Sequence, residues 1–198
     1  MGENCYNKII GYLISGDHIS NSDRELYLYA VKNLIRSFIN VFVLFILGLV
    51  FDMIQESIFM FLSFFALRKF AGGLHLKKYI TCFVSSIVVN VLGLLLIKYL
   101  QNYPSYMFVI TTIASCLAVM FCAPVEHPNK PIAEKEAKTY KIISIVFSCA
   151  ICLVSTILIA SKTLTKVAFS LEIGLIISTI LMIAGKINTR INTFKHNV

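Results

Sequence analysis

Six apolar runs, separated by short polar knots, constrain this chain more than any other feature: 37–51, 57–67, 79–97, 105–125, 142–161 and 167–185. Crossing the roughly 30 Å hydrocarbon core of a bilayer takes about 20 helical residues. The last four runs are long enough, and the first two are short. Backbone groups in lipid must find partners within their own segment, so runs of this kind fold as helices. With 58% hydrophobic and only 14% charged residues and a mean hydropathy of +0.80, the chain is too apolar for an ordinary soluble domain. The expected fold class is all-α: a polytopic integral membrane protein with about six transmembrane helices and an N-terminal amphipathic helical region. No cleavable signal peptide is evident, because the first 36 residues mix polar and apolar types.

The short pair decides the topology. Two tilted spans around the polar turn Asp52 to Glu56 give six crossings, whereas one re-entrant element moves every later loop to the other side. Basic residues arbitrate. With six spans and the N-terminus inside, of the 18 lysines and arginines only Lys98, Lys162 and Lys166 lie outside, fifteen against three. Both termini are then cytoplasmic in a multi-pass membrane protein. The net charge of +8 follows from cytoplasmic loops that meet anionic lipid, and nucleic acid is not needed as a partner.

The expected organisation is a cytoplasmic amphipathic region, 1–36, and a membrane domain, 37–198. Ser22 and Glu25 have capping-box spacing, and Leu26, Tyr29, Ala30 and Leu34 follow a helical period. Such a helix fits either the inner leaflet or the protein itself. A second notable loop carries Pro124, Pro128 and Pro131, which exclude helix until about Glu134. The six cysteines lie in or beside apolar runs, apart from Cys5, and do not form a disulfide framework. Cys149 and Cys152 have C-x-x-C spacing but no partner pair, so they read as packing. No H-E-x-x-H and no second metal-spaced pair accompanies His75, and no cofactor is expected.

The chemistry-bearing segment is Arg68-Lys69-Phe70-Ala71-Gly72-Gly73-Leu74-His75, followed by Cys82. A histidine can take a thiol proton, a thiolate can attack a carbonyl, and paired glycines permit close backbone approach. Cysteine in a membrane protein is usually inert packing. Here Lys77, Lys78 and His75 are near in sequence, and Cys82 falls in the first turns of the third span, where helix-end amides face a developing negative charge. Ser86 and Asn90 follow at intervals of four, making a polar stripe that either touches substrate or hydrogen-bonds a neighbouring helix, the latter being favoured. Taken singly, Arg68 and Lys69 are also explained as positive-inside anchors and His75 as an interfacial residue. The order arginine, double glycine, histidine, cysteine is the specific signal.

That order, with the Ala123-Pro124 to Asn129-Lys130-Pro131-Ile132 loop and the six-run layout, resembles the AgrB family of membrane cysteine endopeptidases in Gram-positive quorum sensing. The resemblance implies cleavage of the C-terminal tail of a small AgrD-type propeptide at the cytoplasmic face and closure of a thiolactone ring. It implies Cys82 as nucleophile and His75 as base. Arg68, Gly72, Gly73, Ser86 and Lys130 are then candidates for substrate binding or for an oxyanion hole. The partners implied are the propeptide, the lipid bilayer and a second copy of the chain. Two other classes remain: a small transporter or exporter, and a noncatalytic membrane scaffold. Transport is disfavoured by a reading in which the spans lack the buried acids of ion-coupled carriers.

Overall fold

The structure is a computed structural model that describes residues 11–12, 23–73, 79–100, 105–125, 134–162 and 164–196. Six long helices account for nearly all of these: α1 (Arg24–Val50), α2 (Ile54–Ala71), α3 (Tyr79–Leu100), α4 (Ser105–Cys122), α5 (Glu134–Ala160) and α6 (Thr165–His196). Three stretches are long and apolar enough to cross a membrane: Arg24–Val50, Glu136–Ala160 and Thr165–Ile191. Two shorter apolar helices, Phe83–Tyr99 and Tyr106–Cys122, accompany them. The protein is an all-helical, polytopic membrane protein. The chain divides between Val43 and Leu44 into two compact units, the second comprising Leu44–Val198.

Most of the helices begin before or end after the apolar runs that announce them, while α4 stops at Cys122, short of the end of the run 105–125. α1 passes through position 36 without a break, so the expected amphipathic segment and the first span share one helix. Its expected cap, Ser22, lies outside the described residues, while Glu25 occupies the first turn, where a negative charge complements the helix dipole. The region 37–67 is two helices joined by a tight turn, not one element. Asp52 closes that turn in the left-handed region at φ 55, and the Met53 amide donates to the Gly48 carbonyl at 2.8 Å. α2 has 18 residues, about 27 Å of helix, with Glu56 in its first turn and Arg68 and Lys69 in its last. α5 begins at Glu134, the point at which the proline-rich loop was expected to release the chain into helix.

Within the second unit many large apolar side chains face outward, and small hydroxyl residues share the interior with the apolar core. Leu62, Phe65, Leu92, Ile110, Phe121 and Leu153 are exposed, while Ser57, Ser63, Thr112, Ser144, Ser155 and Thr179 are buried. Lipid tails are as apolar as leucine and do not drive large side chains inward. Helices in lipid therefore associate through small residues that permit close approach, and hydroxyls inside satisfy themselves on nearby carbonyls. Ser63 Oγ donates to Met60 O at 3.0 Å, Ser144 Oγ to Tyr140 O at 2.7 Å, and Ser57 Oγ reaches across to Leu44 O of α1 at 3.2 Å.

α2 and α6 form the central pair and run in the same direction. Gly174 of α6 lies directly against the Met60 carbonyl and the Ser63 hydroxyl of α2, where no methyl group would fit. α3 docks through Gly93, whose face meets Met60 of α2 and Ile177 of α6. α4 and α5 complete the packing around α6: Phe108 meets Phe169 in a tilted pair with ring centres 4.3 Å apart, and the Cys116 thiol donates to the Ser148 carbonyl at 3.3 Å. One core cluster, with Leu67, Val119, Leu175 and Met182, fills the end towards which α2, α4 and α6 all run.

Candidate functional site

At that end α2 terminates at Ala71, and the two glycines that follow are used structurally. Gly72 has φ 76 and ψ −156, and Gly73 has φ 148, conformations that L side chains rarely adopt. Gly72 forms an isolated parallel bridge with Val125, and the Val125 amide donates to the Ala71 carbonyl at 2.9 Å. A methyl group on Gly72 would collide with the Val125 carbonyl oxygen. The chain just after α2 and the chain just after α4 are therefore held side by side at this end.

Arg68 folds inward. Its guanidinium lies 5.6 Å from the centre of the Phe64 ring, and Nη1 is shielded from solvent. A methyl group on Gly73 would lie 3.1 Å from Nη1 and 3.4 Å from the Leu181 carbonyl of α6. Arg68, Gly73 and α6 are thus packed together, whereas the neighbouring Lys69 is exposed with its ammonium over Phe70. Phe70 in turn stacks on Phe147 and meets Tyr140 of α5, at 5.9 and 6.0 Å between ring centres. Four helices hold this corner: α2, α4, α5 and α6.

α3 starts at Tyr79, so Cys82 occupies its first turn, one helical repeat before Ser86. The side chain of Cys82 lies outside the description, as do His75 and Lys130 altogether. The polar stripe behind Cys82 is satisfied within α3: Asn90 Nδ2 donates to the Ser86 carbonyl at 2.7 Å, and Asn90 is buried. Among the described residues no group of three histidine, cysteine or acidic side chains is arranged to hold a metal ion. The described groups that converge are therefore Arg68, Gly72 and Gly73 with Val125 and Leu181; Ser86 belongs to the flank of α3.

One residue overturns a sequence expectation. The spans do contain a buried acid: Glu172 of α6 is 0% exposed, inside the run 167–185 that reads as uniformly apolar. Its presence in that run was the available signal, since an ionisable residue within a span is a candidate functional group.

The fold and this corner define a class: a polytopic helical membrane protein in which the chain after α2 is bridged to the chain after α4 at Gly72 and Val125. The chain belongs to the AgrB family, Accessory gene regulator B, whose family model matches residues 6–184. An AgrB-like protein of Clostridium acetobutylicum is 32% identical over 145 residues, covering 73% of this chain and 68% of that protein. A second AgrB-like protein, from Clostridium perfringens, is 29% identical over 143 residues, 68% of this chain and 67% of its own length. Accessory gene regulator protein B of Staphylococcus saprophyticus is 26% identical over 142 residues, 70% and 75% of the two chains. No solved structure matches. Family membership implies a peptidase role in the processing of AgrD for quorum sensing.

Proposed function

We propose that this protein is a membrane cysteine endopeptidase that cuts the C-terminal tail from an AgrD-type propeptide at the cytoplasmic face and hands the acyl group to the propeptide's own cysteine. Cys82 attacks the scissile carbonyl while His75 takes the thiol proton. His75 then returns that proton to the departing amine as the C–N bond breaks, leaving a thioester on Cys82. The propeptide thiol displaces Cys82, and its proton passes through His75 to the leaving sulfur. One thioester replaces another, so the activated acyl group survives where hydrolysis would discard it. A partly dehydrated membrane surface favours that exchange.

The observation that supports this reading is the Gly72–Val125 tie, which joins the chain just after α2 to the chain just after α4 beside Arg68, three residues before His75 and five before Lys130 in sequence. The Gly72 amide is committed to the Arg68 carbonyl at 3.2 Å. We therefore assign any oxyanion donation by this pair to Gly73. Arg68 and Lys130 attract the acidic tail of the peptide, and Ser86 supports α3 behind the nucleophile. The protein acts as a homodimer with both termini in the cytoplasm.

The test is purified protein in lipid with a cognate propeptide, with tail release and ring closure followed by mass spectrometry. Cys82→Ala and His75→Ala should each lower cleavage by orders of magnitude, because nucleophile and base act as a unit. Wild-type activity in Cys82→Ala would sink the enzyme reading. A second reading, transport, gains support from Glu172, and Cys82→Ser separates the two: cleavage is lost and transport persists.

A further inference from the structure

Glu172 is an acid buried inside the bundle with no charged partner among the described residues. Its side chain is 0% exposed, and among the described residues neither carboxyl oxygen has a hydrogen-bond partner. Its polar neighbours are the hydroxyls of Thr112 on α4 and Ser155 on α5, both also 0% exposed. Each hydroxyl also has a backbone carbonyl in reach: Thr112 Oγ1 donates to Phe108 O at 2.8 Å, and Ser155 Oγ donates to Ile151 O. A proton given to that carbonyl is withheld from the carboxyl, towards which the hydroxyl oxygen then turns its lone pairs. The described surroundings of the carboxyl are thus rich in acceptor oxygens that compete for two hydroxyl protons. No charged side chain among the described residues acts on Glu172 from α4 or α5; Lys162 and Lys166, the basic residues nearest in sequence, are exposed.

Acceptors crowded together in a low-dielectric interior repel one another, and a positive charge between them is the simple remedy. We infer that Glu172, Thr112 and Ser155 form a monovalent cation site inside the bundle, filled by a proton or by a sodium ion. One carboxylate with two neutral oxygens balances a single charge and leaves a divalent ion uncompensated. A proton turns the carboxylic acid into a donor to a hydroxyl oxygen. A sodium ion takes the same hard oxygens as ligands. Either occupant joins α4, α5 and α6. Two of these shape the motif corner, since α4 leads into Val125 and α6 lies behind Gly73.

The experiment uses the full chain purified in detergent, compared with Glu172→Gln, in sodium chloride and in choline chloride. A proton occupant gives a protonated-carboxyl carbonyl stretch in the infrared that disappears in Glu172→Gln, with an unfolding midpoint indifferent to sodium. A sodium occupant gives no such band in sodium chloride and a midpoint several degrees higher than in choline, a shift that Glu172→Gln loses. If Glu172→Gln does not fold, Thr112→Val serves instead and should displace the band or reduce the sodium shift. A wild type with neither response, or responses unchanged in these variants, overturns the site.

Discussion

Gly72 shows how one residue can look catalytic and be needed for shape. Its backbone angles exclude a side chain, and the Val125 carbonyl occupies the space a methyl group would need. Gly72→Ala is therefore expected to cost about 1–3 kcal/mol of stability through strain. It should lower the unfolding midpoint and, with it, propeptide cleavage. Cys82→Ala should lower cleavage alone. Measuring unfolding and cleavage on both variants distinguishes the roles, and an unchanged midpoint in Gly72→Ala would remove the structural account. The paired glycines could be picked out from sequence as a place of close approach, but the approaching group could not, because nothing in either loop's composition announces its pairing with the other. Glu172 was legible and masked by its neighbours: averaged over 167–185, one acid disappears among apolar residues.

At the scale of elements, hydropathy located the six long helices and misjudged their lengths. Arg36, Glu56 and Arg68 end an apolar run without ending a helix, so α1 and α2 extend beyond 37–51 and 57–67. For the same reason α6 continues past position 185 into Lys186 and Arg190. Which helix lies against which was not legible, since all six are apolar around most of their circumference and the packing face is marked by small residues. Gly174 tests that account. Its contact with Met60 and Ser63 leaves no room for a methyl group, so Gly174→Ala should destabilise the bundle by about 1–3 kcal/mol. Gly11, with nothing within 4 Å of an added methyl group, should tolerate alanine within about 0.5 kcal/mol. Thermal unfolding of the two variants in detergent checks both, and equal midpoints would argue against glycine-mediated packing of α2 on α6.

For the whole molecule, the basic asymmetry orients the bundle. With six spans and the N-terminus inside, three lysines are expected on one side and fifteen basic residues on the other, an orientation expected to place the motif corner in the cytoplasm. Single cysteines introduced at Lys98 and Lys162, in a background with accessible native thiols replaced, should react with a membrane-impermeant reagent in intact cells. A cysteine at Lys130 should react only after permeabilisation. The reverse pattern would invert the molecule and remove the active corner from its peptide's compartment.

The backbone tie between Gly72 and Val125 also bears on how relatives can be recombined. Because the strand-like contact belongs to both connections, neither is an independent module. A graft that exchanges the residues after α2 for those of another family member, but keeps the original residues after α4, pairs two backbones that have not been matched to each other. Residues 68–73 and 123–125 are therefore to be moved as one unit, and a chimaera that exchanges only one of them is expected to lose stability before it gains any new property.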